Sequence, residues 1–272
     1  MIVCKNFKVM MIKSVGSTVP NASQESAHNH MILQMFYDDR WGAATRDMIL
    51  WFKGGNGHGL EDSSYARVQY VVSKGFVYIN CSTFAPNQHP MDFKLEPSMP
   101  IHDYVRYAFE VQSFLEHIYQ HMIYDKEVKR HINQDSKVVL TGTSRGAGII
   151  LQWSCLARGI YAAYSEKVIG LVANSPAGGN NSRRWNGPYI AQRATYKYYQ
   201  NVRHPTIACI GAGDITHTNR AHMERIYRHL SNRLVKVVIE GDDTWDHTWP
   251  NLSRDQAYQK FFNHAFDFFY AL

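Results

Sequence analysis

A serine stands between two glycines, Gly142-Thr143-Ser144-Arg145-Gly146, where the β-type run Lys137-Val138-Val139-Leu140-Thr141 meets a helix-like stretch from Ala147 to Ile160. Strand, tight turn and helix around Gly-x-Ser-x-Gly form the pattern of a nucleophile elbow. The turn strains the serine backbone, and a Cβ two residues before or after it would strike the neighbouring strand or helix, so both positions need small residues. The hydroxyl then projects above the sheet edge. Its chemistry would be nucleophilic attack, for which a serine needs a base, usually a histidine oriented by a carboxylate.

The chain order expected for such a set is serine, acid, histidine. Between Glu166 and Asp214 there is no Asp or Glu, so Asp214 is the first available acid. It follows the strand-like Thr206-Ile207-Ala208-Cys209-Ile210 in the context Gly211-Ala212-Gly213-Asp214, where a carboxylate at a strand's carboxyl end can reach a histidine. The alternative role for Asp214 is to cap the next helix. After the last strand-like run, Val235 to Ile239, the loop Glu240 to Pro250 holds one histidine, His247. His222, His229 and His264 fall on helix-like stretches, and His217 is too near Asp214 in sequence to face it easily. Asp242, Asp243 and Asp246 compete as acids but adjoin His247 in its own loop.

Charge developing on a substrate oxygen needs donors. One is the backbone N–H of Arg145, just after the serine. The other is expected in Lys53-Gly54-Gly55-Asn56-Gly57-His58-Gly59, which follows the strand-like Met48 to Phe52 and lets backbone N–H groups approach a substrate. A dinucleotide loop would need glycine where Leu60 stands and an acid closing the next strand, and has neither. His117 and His121 lie four apart on a helix but lack the glutamate of a zinc helix, so they read as solvated. His28-Asn29-His30 is too short to count as a nuclease motif.

The elements that must position these groups follow in order. Two strand-like segments, around Phe7 to Ile12 and His30 to Tyr37, read as an antiparallel edge. From Met48 onward strands and helices alternate, which implies a parallel sheet with helices on both faces. Helices are expected near Ser63 to Ser73, over Val105 to Met122 by apolar spacing, after the elbow, near Asn219 to Asn232, and from Arg254. Further strands are expected over Phe76 to Asn80 and Val168 to Ala173.

At 272 residues and 45% hydrophobic, the chain suits one large α/β domain over residues 1–272. No apolar run nears the roughly 20 residues of a membrane helix, and Lys5, Lys8 and Lys13 interrupt any signal-peptide core. A soluble cytoplasmic protein is expected. The four cysteines, Cys4, Cys81, Cys155 and Cys209, lack metal-ligand spacing and read as buried free thiols. The net charge of +6 comes without a dense Lys/Arg block, which argues against nucleic acid as a partner.

Elbow, acid and histidine in this order resemble the α/β-hydrolase superfamily, esterases and lipases among them, over nearly everything from Met48 to the carboxyl end. The resemblance implies an α/β-hydrolase fold, with a mostly parallel eight-stranded sheet, helices on both faces and a short cap-like insertion at about 176–204. It implies Ser144 as nucleophile, His247 as base and then acid, Asp214 as its partner, and Arg145 with Gly55 or Asn56 as oxyanion donors, without metal or cofactor. Two positions depart from the family: Lys53-Gly54 replaces the His-Gly start of the oxyanion loop, and Asp246 replaces the glycine before the histidine.

The expected reaction is cleavage of a small-molecule carboxylic ester; an acyltransferase on the same triad, or a silent hydrolase-fold binding protein, are the alternatives. Trp245 and Trp249 flank His247 and could wall the pocket. The acid-free interval holds Lys167, Arg183, Arg184, Arg193, Lys197 and Arg203, a basic stretch that favours an anionic substrate, with Arg183 and Arg184 as its binding residues.

Overall fold

In the computed structural model the described residues are 1–10, 30–42, 44–54, 59–83, 106–157, 162–175, 202–211, 234–240 and 254–271. They build eight strands: β1 (Ile2–Met10), β2 (His30–Asp38), β3 (Met48–Phe52), β4 (Val77–Ser82), β5 (Val138–Thr143), β6 (Val168–Asn174), β7 (Thr206–Gly211) and β8 (Val235–Glu240). The sheet order is β1-β2-β4-β3-β5-β6-β7-β8. β2 runs antiparallel to both its neighbours, and all pairs from β4–β3 to β7–β8 are parallel.

Every residue of β3 is buried. Met48, Leu50 and Phe52 enter the core on one face, and Ile49 and Trp51 the core on the other. A strand covered on both faces favours apolar residues at successive positions, which is why this run lacks polar alternation. Helices α2 (Arg106–Gln120) and α3 (Arg145–Leu156) cover the first face. Helices α1 (Ala66–Ser73) and α4 (Arg254–Tyr270) cover the second, where Phe261, Phe262 and Trp51 meet edge to face or tilted.

The connections decide where a crevice opens. After β3 the chain turns to α1 on one face and then to β4, whereas after β5 it turns to α3 on the opposite face and then to β6. β3 and β5 are hydrogen-bonded neighbours, so the chain leaves their carboxyl ends toward opposite faces of the sheet, which makes this a topological switch point.

Three sequence expectations are corrected. The first strand starts at Ile2 and not near Phe7, because residue-by-residue pairing with β2 runs from Ile2↔Asp38 to Met10↔His30; residues 11 and 12 of the expected strand lie outside the described residues. The elbow helix ends at Leu156, short of Ile160. Cys4 is exposed on the edge strand, and only Cys81, Cys155 and Cys209 are buried free thiols. Burial pushes the Cys81 and Cys155 thiols well above their ordinary range, which keeps them protonated. The helix expected near 219–232 and most of the cap-like insertion lie outside the described residues. Among the described residues no helix is long and apolar enough to cross a membrane.

Candidate active site

Ser144 follows Thr143, the last residue of β5, and occupies the N-cap position of α3 with φ 52° and ψ −113°. That conformation costs an L residue on the order of 1–3 kcal/mol and persists only where its surroundings enforce it. Here they do. The Ser144 N–H donates to the Asn174 carbonyl at the end of β6 (2.8 Å), and the Gly148 N–H donates to the Ser144 carbonyl (3.0 Å). The two glycines are required sterically: a Cβ at Gly142 would stand 2.6 Å from the Gly146 carbonyl carbon, and one at Gly146 would stand 2.0 Å from the Phe52 carbonyl oxygen. A third glycine completes the enclosure, since a Cβ at Gly54 would lie 3.2 Å from the Ser144 Cβ.

A serine at a helix N-cap ordinarily spends its hydroxyl on a backbone N–H one turn on. Ser144 makes no such bond. Its side chain is partly exposed, whereas Ser154 and Ser175 are wholly buried. The Arg145 N–H, in the first turn of α3, is one of the helix donors without an intrahelical acceptor, and the helix dipole favours negative charge there. A hydroxyl not spent on capping, beside a helix-terminal amide, can attack a carbonyl and hold the oxygen that becomes negative.

β7 and β8 run parallel to β5, so Gly211 and Glu240 close strands at the same sheet edge as Ser144. Asp214 is three residues beyond Gly211, and His247 seven beyond Glu240. Both lie outside the described residues, as do Gly55, Asn56, Arg183, Arg184, Trp245 and Trp249. Of the expected site, the structure brings together Ser144, the Arg145 backbone and the start of the glycine loop at Gly54.

No family model matches the sequence. No curated protein matches it in sequence. Solved structures do match in shape. Esterase 2 of Thermogutta terrifontis superposes with a TM-score of 0.60 at 16% identity over 88% of each chain. Dienelactone hydrolase from Anabaena variabilis gives 0.55 at 12% identity over 96% of this chain and 98% of its own. Est1E from Butyrivibrio proteoclasticus gives 0.55 at 10% over 88% and 95%.

The chain has the α/β-hydrolase fold.

In this α/β-hydrolase fold several residues near the site were not legible as such. Asn174 holds the Ser144 backbone through its carbonyl, and only the β5–β6 register, with Thr143 opposite Asn174, reveals it. Gln34, Asn80 and Ser82 bind the backbone at Gly59 and Glu61, just past the glycine loop.

A second serine–histidine pair serves the scaffold. Ser154 Oγ lies 2.8 Å from His204 Nδ1, and it also accepts the N–H groups of Arg203 (3.1 Å) and His204 (3.3 Å). With both lone pairs engaged, Ser154 donates its own proton to Nδ1. His204 therefore carries its hydrogen on Nε2, which faces the hydroxyl (3.1 Å) and carbonyl (3.3 Å) of Ser165. Burial lowers the His204 pKa and keeps the ring neutral, stacked on Trp153. The pair ties α3 to the segment entering β7, at the sheet edge opposite Ser144.

The basic stretch is likewise divided by the fold. Lys167 and Arg203 precede β6 and β7, so they sit about 20 Å from the Ser144 edge, a strand length away. That is beyond the roughly 8 Å screening length at physiological salt, and they add little field at the site. Lys53 stands at the correct edge: it directly follows β3, is exposed, and reaches back so that a Cβ at Gly59 would lie 2.9 Å from its Nζ. His117 is not solvated as expected. It is half-buried against Phe7, with ring centroids 5.9 Å apart, and burial lowers its pKa. Among the described residues no group of three or more His, Cys, Asp or Glu gathers.

Proposed function

We propose that the protein is a serine hydrolase that cleaves a carboxylic ester through an acyl-enzyme on Ser144. The observation that carries the reading is the strained, partly exposed Ser144 whose hydroxyl caps nothing at the start of α3. Strand placement supports the remaining roles. Neighbouring strands lie about 4.8 Å apart, so the ends of β7 and β8 are roughly 10 and 14 Å from that of β5. Three residues can span about 10 Å and seven about 23 Å, enough for Asp214 and His247 to meet Ser144.

In this reading His247 removes the Ser144 hydroxyl proton as Oγ attacks the ester carbonyl. The Arg145 N–H, with that of Gly55 or Asn56, receives the oxyanion. Collapse expels the alcohol, which takes the proton from His247, and leaves the acyl group on Oγ. A water, deprotonated by His247, repeats the attack and releases the acid, returning the proton to Ser144. Asp214 holds the imidazole tautomer throughout. We further propose an anionic ester as substrate, recognised by Lys53 from the described site and by Arg183 and Arg184 from the insertion, with Trp245 and Trp249 walling the pocket.

The test is labelling with a fluorophosphonate followed by peptide mapping. Organophosphorus reagents suit the fold, since the Thermogutta esterase is phosphorylated by paraoxon. Modification of Ser144, lost in Ser144→Ala, is expected; modification of a different serine would reject the assignment. Release of free acid and alcohol in water separates hydrolysis from acyl transfer.

A further inference from the structure

The loop after β3 is fastened at both ends, by different means. At its start, Gly54 packs on the backbone of Thr143 and the side chain of Ser144. At its end three buried side chains grip the backbone. The Gly59 N–H donates to Ser82 Oγ (3.1 Å), and Asn80 Nδ2 donates to the Gly59 carbonyl (3.0 Å). The Glu61 N–H donates to Gln34 Oε1 (2.6 Å), while Gln34 Nε2 donates to the Glu61 carbonyl (3.3 Å). Asn80 Nδ2 also donates to Gln34 Oε1 (2.8 Å), joining the two grips. The Glu61 side chain is anchored separately, by Arg67 at 2.7 Å and by the Tyr78 hydroxyl at 2.8 Å. Burial holds the Tyr78 pKa well above its ordinary value, so the phenol keeps the proton it donates.

Gln34, Asn80 and Ser82 occupy interior positions on β2 and β4, where an apolar side chain would be the default and a polar one is costly unless bonded. All three bond to a loop exit that begins at Gly59, five residues after Gly54. Gly59 itself has φ 141°, a conformation side chains rarely adopt, so the exit is built for one backbone path. We propose that Gln34, Asn80 and Ser82 are positioning residues, fixing the loop whose amides, on the reading of Ser144 as nucleophile, stabilise the oxyanion. They touch no substrate. They act by holding the Gly59–Glu61 backbone, the exit of the loop from which that reading draws the oxyanion donors.

A donor misplaced by about 1 Å can cost up to roughly 100-fold in rate, and an interaction made only in the transition state lowers kcat and leaves KM alone. The experiment compares Ser82→Ala, which removes the acceptor for Gly59, with Ser82→Thr, which retains it. Gln34→Ala provides a second break in the network. kcat and KM are measured on a neutral p-nitrophenyl ester, with active sites counted by end-point fluorophosphonate titration so that unfolded molecules do not enter the rate. Ser82→Ala and Gln34→Ala are expected to lower kcat per titrated site by about 10- to 100-fold, with KM within about twofold. Ser82→Thr is expected to recover most of the loss. Native kcat per site in both Ser82→Ala and Gln34→Ala, beside an inactive Ser144→Ala, would overturn the positioning role alone; turnover surviving in Ser144→Ala would overturn the nucleophile and this role together.

Discussion

Gly146 and Phe52 meet backbone to backbone: a Cβ added at Gly146 would fall 2.0 Å from the Phe52 carbonyl oxygen and 2.5 Å from its carbon. The first turn of α3 is thereby seated on the end of β3, which brings the Ser144 turn against Gly54. No side chain is available to swing aside. Gly146→Ala is therefore expected to destabilise by about 2 kcal/mol or more, the upper part of the range for overpacking. By calorimetry that is a fall in Tm of at least about 4 °C. Gly54→Ala meets looser contacts, 3.0 and 3.2 Å, and is expected to keep the fold while lowering kcat. A Gly146→Ala protein melting with the native one would contradict this close seating.

The positive φ of Ser144 predicts a trade between stability and function. Ser144→Gly removes the Cβ that makes φ 52° unfavourable, whereas Ser144→Ala leaves it. Both variants are expected to be inactive, with the glycine variant about 1 kcal/mol more stable than the alanine variant in urea denaturation. Equal midpoints would mean that the turn stores no strain at this residue.

His247→Ala and Asp214→Asn should each lower kcat by several orders of magnitude, as removal of one member of a catalytic unit does. Activity should rise with pH through the ordinary histidine range, near about 6.5, as the base becomes neutral. Near-native kcat in Asp214→Asn, with loss in a variant of Asp242, Asp243 or Asp246, would transfer the acid's role to the histidine loop.

With Lys167 and Arg203 at the far edge, the test of an anionic substrate turns on Lys53, which the structure describes, and on Arg183 and Arg184. Matched neutral and carboxylate-bearing esters should differ in kcat/KM in favour of the charged one. The preference should shrink with added salt and in Lys53→Ala or Arg183→Ala/Arg184→Ala. Equal or better turnover of the neutral ester at low salt would sink the idea.

Stability should fall on the acid side. Burial lowers the pKa of His204, His131 and His117, so the unfolded chain takes up protons at a higher pH than the folded one. The associated stability is full above the unfolded value of about 6.5 and is lost as pH drops through the lowered folded values. Urea midpoints at pH 7.5 and 5.5 measure it. A lower midpoint at pH 5.5 is expected, with a smaller difference in His204→Gln, whereas a midpoint that rises on acidification would contradict the sign.

By itself the sequence determined the elements that depend on local pattern. Apolar continuity marked β3, β5, β6 and β7, helical spacing marked α2, and two glycines about a serine marked the turn at Ser144, because each signal is set by neighbours within a few residues. The tertiary structure alone decided what depends on register and on which face a connection takes. The start of the first strand moved from Phe7 to Ile2 once β2 imposed its pairing, and Cys4 became exposed because β1 is an edge. The carbonyl of Asn174 became the partner of Ser144 through the offset of two parallel strands, which no local pattern encodes. Gln34, Asn80 and Ser82 read as ordinary polar residues until two strands distant in sequence set them beside Gly59 and Glu61. Lys167 and Arg203, contiguous in sequence with the other cations of the acid-free interval, were removed from the site by strand direction: a charge that precedes a parallel strand lies a whole strand length from one that follows it.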